Sequence, residues 1–251
     1  SRGKESCGLA FCDDENIHVL KRAQSAARLL RSRAYRQLAG HIFSAVRPPR
    51  VVIGHSRLIT DSMQREAHDN NQPVIKDRIV GIHNGIVVND AALWKRYPQL
   101  VRNDDVDTEI ILALVRLSLD QGKGPADAVS CAFEQMEGAA SIALLFEDQD
   151  ALVCATNNGS LYYAARGGVF VFGSERMMLE RLFRPSSGVC PLEPADIRHL
   201  LPGFGLVFNF HNAEIKEFSL REGKSDLAVP PAARTIVDHR PQEVEAAGSA
   251  G

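Results

Sequence analysis

The sequence lacks several features that would assign it to a particular class of protein. It has no apolar run long enough to span a membrane, and residues 1–6 are too polar for a secretory signal. It has no C-x-x-C pair and no H-x-x-H type cluster, so no metal site is indicated. Its net charge of −2 lacks the basic excess of a nucleic-acid-binding protein. The sequence therefore predicts no membrane, metal or nucleic-acid function, and no cofactor.

The composition is that of a globular chain with a core of its own. Hydrophobic residues make up 45% and charged residues 24% of the 251 positions, which is ample for a folded domain. The five cysteines are odd in number and lie mostly in apolar runs, so a reducing cytoplasm is expected. Beyond Ser225 the chain is rich in Ala, Pro and charge without periodicity. We predict one domain over residues 1–222 and a tail or linker over 223–251.

The order of apolar patterns indicates strands first, helices as a group, and then strands again. This order argues against a regular βαβ repeat and favours an α+β fold with antiparallel sheets covered by helices. Asp90 and Ser174 are predicted helix N-caps. The predicted strands cover 7–12, 17–20, 51–53, 141–146, 151–155, 161–164, 169–172, 203–210 and 214–218; the predicted helices cover 23–38, 91–97, 110–119, 126–136 and 174–182.

Two of the apolar runs end abruptly in polar side chains, in Gly-His-Ser-Arg57 and in His-Asn84-Gly85. Arg57 offers a planar fork of donors suited to a carboxylate, while the Asn84 amide and the Gly85 N–H could converge on an oxyanion. A carboxylate-binding group together with oxyanion donors predicts cleavage of an amino-acid amide. Each residue also has a plainer interpretation: a surface salt bridge for Arg57, and a type I′ turn for Asn84-Gly85. His55 and His83 are predicted to be structural.

Four short motifs occur in a fixed order. They are R-G-K-E-S-C-G at residues 2–8, G-H-S-R-L-I-T at 54–60, H-N-G at 83–85 and D-T-E at 107–109. Together they resemble the glutaminase domain of class II glutamine amidotransferases, the family of N-terminal-nucleophile hydrolases that includes glucosamine-6-phosphate synthase and amidophosphoribosyltransferase. The matched motifs extend from residue 2 to about residue 180. Each motif is short, and it is their ordered combination that is specific.

The resemblance implies a fold and a reaction. The fold would be two stacked, mainly antiparallel sheets between helical layers. The reaction would be hydrolysis of L-glutamine to glutamate and ammonia through a Cys thioester, with ammonia passed to an acceptor domain or subunit. Arg57, with Thr60 nearby, would bind the α-carboxylate of glutamine, and Asp107 its α-amino group. Asn84 and Gly85 would form the oxyanion hole. Taken alone, Asp107 is also an ordinary helix-start residue.

The nucleophile is the point at which the sequence departs from the family pattern. In the family, the nucleophilic cysteine precedes the R-G-x-x-S-x-G segment, so we expect it upstream of Ser1. Two alternatives stay open: a non-catalytic glutamine-binding or regulatory module, and Cys7 as nucleophile after removal of six residues. A third alternative is an N-terminal-nucleophile hydrolase for another amide. The sequence leaves open whether the protein forms a homo-oligomer.

Overall fold

The computed structural model describes residues 6–44, 50–57, 71–183, 192–221 and 231–240. Two larger β-sheets are stacked face to face, and helices pack on the outer face of each. This layering agrees with the predicted α+β class. A third, three-stranded sheet lies beside them and was not predicted. Within the described ranges, no helix has the length and apolar character needed to cross a membrane.

Sheet A, the four-stranded sheet, contains the end of the first motif and the start of the second. It contains β1 (Ser6–Cys12), β2 (Asn16–Arg22) and β3 (Val51–Arg57), with β1 paired antiparallel to both neighbours. The strands predicted over 7–12 and 17–20 are confirmed, and they form a hairpin. Its turn is closed by the Asp13 carboxylate, which accepts the backbone N–H of Asn16 at 2.6 Å.

The predicted helix over 23–38 is wrong as a single element, because Ser32 divides it. Helix α1 (Ala26–Arg31) ends where the N–H of Ser32 bonds to the carbonyl of Leu29. Helix α2 (Arg33–Phe43) begins at the same residue, whose hydroxyl accepts the N–H of Tyr35 at 3.1 Å. Both helices cover the outer face of sheet A.

Sheet B is six-stranded, antiparallel and ordered β12-β11-β7-β6-β5-β4. Its inner face packs against sheet A, and its outer face packs against helices α4 and α5. The elements are β4 (Val74–Lys76), β5 (Ile79–Val87), α3 (Asp90–Arg96), α4 (Thr108–Asp120), α5 (Pro125–Gln135), β6 (Gly138–Phe146), β7 (Ala151–Thr156), β11 (Phe204–Asn209) and β12 (Ile215–Ser219).

The third sheet has the strand order β10-β8-β9, and one short helix follows β9 in the chain. Both cap predictions were off by one residue: Asn89 precedes α3, where Asp90 is the first helical residue, and Glu175 precedes α6. A hydrophilic residue at the end of a strand-to-helix turn indicates a boundary only approximately. The elements are β8 (Tyr162–Arg166), β9 (Val169–Gly173), α6 (Arg176–Leu182) and β10 (Arg198–His199).

The predicted tail contains a strand. β13 (Thr235–Asp238) pairs in parallel with β2 and forms the outer edge of sheet A, so the segment predicted as a tail or linker over 223–251 contributes four residues to a sheet. Four residues are too few to show a hydrophobic period in the sequence. Their partner strand supplies the backbone hydrogen bonds that fix their conformation.

Candidate active site

A cavity of about 540 Å³ lies between the two stacked sheets, where β3 and β5 end. It brings together four of the predicted site residues, although they come from distant parts of the chain. Its described lining consists of His55, Ser56, Arg57, Gln72, His83, Asn84, Gly85, Ile86, Val87, Asp90, Asp105, Val106 and Asp107.

Sheet A contributes Arg57 through the alternation of β3. Val51 and Ile53 face the core between the sheets, so His55 and Arg57 lie on the same face. Arg57 is the last residue of the strand, and its half-buried side chain reaches the cavity. The guanidinium therefore stands at the rim of the inter-sheet core, where a ligand carboxylate could meet it.

Sheet B contributes the predicted oxyanion donors through β5. Val80 and Ile82 face the inter-sheet core, and Asn84 continues their face into the cavity. Gly85 pairs with Ala140 of β6. Its φ is 152°, and a Cβ at this position would lie 1.8 Å from the carbonyl oxygen of Ala139. Only glycine fits this backbone, which keeps the peptide at residue 85 open to the cavity.

Asp107 reaches the cavity from the start of α4. Its Oδ2 accepts the backbone N–H of Val87 at 2.8 Å, so the carboxylate ties the end of β5 to the helix instead of capping α4. Its Oδ1 lies 3.8 Å from Nδ1 of His83. Asp107 thus lines the cavity with one carboxylate oxygen bonded to the backbone, and a carboxylate has further acceptor sites that a cation could use.

The two histidines beside the site are held neutral by their surroundings. Burial, and then the nearby His83 and Arg57, lowers the pKa of His55 to about 4. Burial lowers the pKa of His83 as well, against the opposing effect of Asp107. His83 is 3% exposed, and its Nδ1 lies 3.3 Å from the hydroxyl of Thr108. Near neutral pH the positive charge at this end of the cavity is therefore carried by Arg57.

A buried ion pair shapes the segment that leads to Asp107, and sequence reasoning missed it. The Glu109 carboxylate accepts the backbone N–H groups of Asn103 at 2.8 Å and Asp104 at 2.7 Å. Lys76 Nζ lies 3.1 Å from this carboxylate and also donates to the carbonyl of Val101 at 2.5 Å. The side chains of Lys76 and Glu109 are 2% and 0% exposed. The available signals were the place of Glu109 at the end of the D-T-E motif and directly before the helix predicted over 110–119.

Two further predicted residues are not among those that line the cavity in the described part of the chain. Thr60 lies outside the described residues. Cys7 packs with Phe11 and Leu29 between sheet A and its helices, and its thiol donates to the carbonyl of Gln24 at 3.0 Å. Burial raises the pKa of Cys7 to about 11, the opposite of what a nucleophilic thiolate needs. In this position its sulfur faces away from the cavity.

A second, largely apolar cavity of about 730 Å³ adjoins the first. Both are lined by His55, Ser56, His83 and Asn84, so the site opens inward along the space between the sheets. The apolar part of its wall comes from β9, α6 and the inner faces of both large sheets. Within the described ranges, no group of His, Cys, Asp and Glu side chains is arranged to hold a metal ion.

Comparison with known proteins assigns this arrangement to a family. The family model described as a glutamine amidotransferase domain matches residues 55–181, about half of the chain, which includes the last three residues of β3, all of β5 and α4. The chain belongs to the class II glutamine amidotransferase family. The resemblance stated from the sequence motifs is thereby confirmed.

The relatives of this amidotransferase chain are longer than it is. It is 31% identical over 166 residues to a glutamine–fructose-6-phosphate aminotransferase (isomerizing) of Gluconobacter oxydans, covering 65% of the chain and 26% of the relative. The protein of the same name from Bradyrhizobium diazoefficiens is 28% identical over 238 residues, covering 92% of the chain and 36% of the relative. The chain thus spans between about a quarter and about a third of these relatives.

Solved structures confirm the fold of this chain. A glutamine phosphoribosylpyrophosphate amidotransferase from B. subtilis superimposes with a TM-score of 0.64 at 21% identity, covering 88% of the chain and 44% of that structure. A glutamine aminotransferase class-II domain protein from Silicibacter pomeroyi gives a TM-score of 0.56 at 18% identity, covering 86% and 91%. The predicted N-terminal-nucleophile hydrolase fold is therefore confirmed.

Proposed function

We propose that this chain is the glutaminase domain of a class II amidotransferase, which hydrolyses L-glutamine to glutamate and ammonia. The observation that carries the proposal is that Arg57, Asn84, Gly85 and Asp107 line one cavity between the sheets. A guanidinium and a carboxylate in one cavity suit the two charges of a free amino acid. A glutamine residue within a peptide has neither of these α-charges, so its binding would be disfavoured.

Each residue has a proposed role in this reaction. Arg57 binds the α-carboxylate, and the Asp107 carboxylate binds the α-ammonium group. A cysteine thiolate attacks the side-chain amide carbon, and the resulting oxyanion accepts hydrogen bonds from the Asn84 amide and the Gly85 N–H. The C–N bond then breaks, and the leaving nitrogen takes the proton that the α-amine of the cysteine removed from its thiol, so that ammonia departs. Water then hydrolyses the thioester, which releases glutamate and restores the thiol.

The proposal takes its nucleophile from the family pattern, which puts the cysteine upstream of Ser1. None of the cysteines in the described residues lines the cavity. The ammonia acceptor is proposed to lie on a further domain or a partner subunit. The relatives support this, because they carry names of aminotransferases and the chain spans only 26% and 36% of their length.

The charge contact at Asp107 gives the sharpest test. The full-length protein is incubated with L-glutamine, and glutamate release is measured for the unsubstituted protein, for Asp107→Asn and for Asp105→Asn. Asp105 also lines the cavity but bonds to Arg102 at 2.5 Å, so it is the matched control. Loss of a charged hydrogen bond predicts that Asp107→Asn raises KM roughly 10- to 100-fold. Asp105→Asn is expected to change KM by less than about threefold.

A second measurement separates the alternatives. The unsubstituted protein should hydrolyse glutamine, reject N-acetylglutamine, and be labelled on a cysteine by an electrophilic glutamine analogue. Binding of glutamine without hydrolysis or labelling would indicate the non-catalytic binding module. Equal hydrolysis of glutamine and N-acetylglutamine, unaffected by Asp107→Asn, would indicate a hydrolase for another amide.

A further inference from the structure

The side chain of Gln72 is bonded to the backbone immediately before the proposed oxyanion donors. Its Nε2 donates to the carbonyl oxygen of His83 at 2.8 Å, and its Oε1 accepts the N–H of the same residue at 2.6 Å. One side-chain amide thus satisfies both backbone polar groups of the residue that precedes Asn84. The sequence motifs gave Gln72 no role in the site.

The register of β4 and β5 explains why a side chain is used here. Val74 pairs with Gly81 and Ile75 with Val80, so residue 72 would stand opposite His83 if the ladder continued. The ladder stops at Val74, the first residue of β4, so the backbone of residue 72 does not pair with His83. The Gln72 amide supplies the donor and acceptor that the backbone of β4 would otherwise provide, beyond the end of an edge strand.

Gln72 is itself supported from sheet A. A Cβ on Gly8 of β1 would lie 2.4 Å from the carbonyl oxygen of Gln72 and 2.7 Å from Cδ of Pro73. The backbone of residues 72 and 73 therefore rests directly on β1 and has little room to move back. On the other side, the ring of His83 lies against the start of α4, 3.3 Å from the Thr108 hydroxyl.

From these contacts we propose that Gln72 is a positioning residue, which holds the backbone of His83 so that the Asn84 amide and the Gly85 N–H keep their direction into the cavity. The inference rests on the proposed glutaminase function. An oxyanion hole stabilises the transition state only if its donors are already aligned, because reorientation during the reaction would cost the energy that they supply. Rotation of the peptides at 83–85 is the motion that the two bonds oppose.

The experiment replaces Gln72 by two residues of similar length in the full-length protein. Gln72→Met removes both bonds and should lower kcat roughly 10- to 100-fold, the range for displaced transition-state donors. KM should stay within about threefold, because the residues proposed to bind the two charges of glutamine are unchanged. Exchange of the His83 amide hydrogen should become at least about tenfold faster, because its acceptor is gone.

Gln72→Glu provides a rescue by pH. When ionised, the new carboxylate can accept the His83 N–H but places an oxygen against the His83 carbonyl, so the second bond is lost. When protonated, its O–H can donate to that carbonyl and restore both bonds. The kcat of Gln72→Glu relative to the unsubstituted protein should therefore rise as the pH is lowered, whereas the ratio for Gln72→Met should not.

Asn89→Leu is the control for simple loss of stability. Asn89 also makes two hydrogen bonds to the backbone through its side-chain amide. Its Oδ1 accepts the N–H of Glu137 at 2.9 Å, and its Nδ2 donates to the carbonyl of Gln135 at 3.0 Å. It does not line the cavity, so kcat should stay within about twofold while the thermal midpoint falls.

The outcomes distinguish the two proposals. If the unsubstituted protein releases no glutamate, the proposed function is wrong and the role of Gln72 fails with it. If it is active but Gln72→Met keeps its kcat within threefold, or if Asn89→Leu loses as much, only the positioning role of Gln72 is overturned.

Discussion

At the scale of single residues, His55 links the site to the pH dependence of folding. Its pKa is lowered to about 4, first by burial. An unfolded histidine has a pKa of about 6.5, so between about pH 6.5 and 4 the unfolded chain binds a proton that folded His55 does not. The stability that neutral His55 contributes is thus complete above pH 6.5, declines as the pH falls, and is lost below about 4.

We predict that His55→Asn makes the free energy of unfolding fall less steeply between pH 6.5 and 4. Urea unfolding of the variant and the unsubstituted protein at four pH values in this range measures the difference, which for one group is at most about 1.4 kcal/mol per pH unit. His211→Asn, in an exposed turn before β12, is the control and should retain the original slope. Parallel curves for His55→Asn and the unsubstituted protein would contradict the prediction.

The site residues that the sequence identified have a charged or amide side chain or, for Gly85, a backbone conformation that only glycine fits. Arg57, Asn84, Gly85 and Asp107 belong to recognisable motifs, and the structure places them at one cavity. The supporting residues could not be identified in this way. Gln72 acts through bonds to the backbone of a residue eleven positions away, which depend on the strand register. The short strand β4, which sets this register, was not among the predicted strands, so the position of Gln72 opposite His83 could not be foreseen.

At the scale of elements, the segment from Val101 to Asp107 has no regular secondary structure but is fixed by the buried pair of Lys76 and Glu109. We predict that Glu109→Gln destabilises the protein by about 3 kcal/mol, because the Lys76 charge would stay buried without its partner. KM for glutamine should also rise, since Asp107 lies at the end of this segment. Urea unfolding and steady-state kinetics measure the two effects.

The matched control for this change is Glu180→Gln. Glu180 accepts from Arg176 at 2.8 Å on α6, with exposed fractions of 44% and 50% for the two side chains. Exposed pairs at this helical spacing contribute less than about 0.5 kcal/mol, so little change is expected. The double variant Lys76→Met/Glu109→Gln removes the unpaired charge and should recover part of the lost stability. Equal effects of the two Glu→Gln changes would count against the buried pair.

Elements with a clear hydrophobic period were predicted well, and their boundaries less well. Most strands of sheet B, and the helices that cover it, match the apolar runs because both faces of that sheet are buried; β4 was not predicted. The division of the first helical region at Ser32 was missed, since Ser is a common residue within helices as well as a cap. Its hydroxyl ends up capping α2 because α1 and α2 must both turn their apolar sides to sheet A.

At the scale of the whole molecule, Arg234 joins the two large sheets. Its guanidinium donates to the carbonyl of Asp13 at 2.7 Å, in the turn of sheet A, and to the Asp150 carboxylate at 2.5 Å, before β7 of sheet B. The residue is 6% exposed. We predict that Arg234→Lys lowers the free energy of unfolding by about 2 kcal/mol, because an ammonium cannot make the same forked contacts.

Thermal or urea unfolding measures this prediction, with Arg166→Lys as the control. Arg166 is 52% exposed and faces Glu193 and Asp196 at 3.5 and 3.4 Å. Its replacement should cost less than about 1 kcal/mol. A cost at Arg234 no larger than at Arg166 would show that the bonds between the two turns do not stabilise the stacking of the sheets.

The order of layers was predictable from the grouping of strands and helices, but the closing of sheet A by β13 was not. Arg234 and β13 come from the segment that composition marked as irregular. A short strand at the far end of the chain gains its stability from a partner strand near the start, and such distant pairing leaves no local trace in the sequence.

The division of the cavity between the sheets has a consequence for the substrate. Arg57 belongs to sheet A, whereas Asn84, Gly85 and Asp107 are attached to sheet B. With the proposed roles, the distance from the α-carboxylate to the scissile amide spans the seam between two separately hydrogen-bonded layers. Under that proposal the packing of the two layers sets the length of side chain that fits, so asparagine, which is one methylene shorter than glutamine, would be disfavoured by core residues that do not contact it.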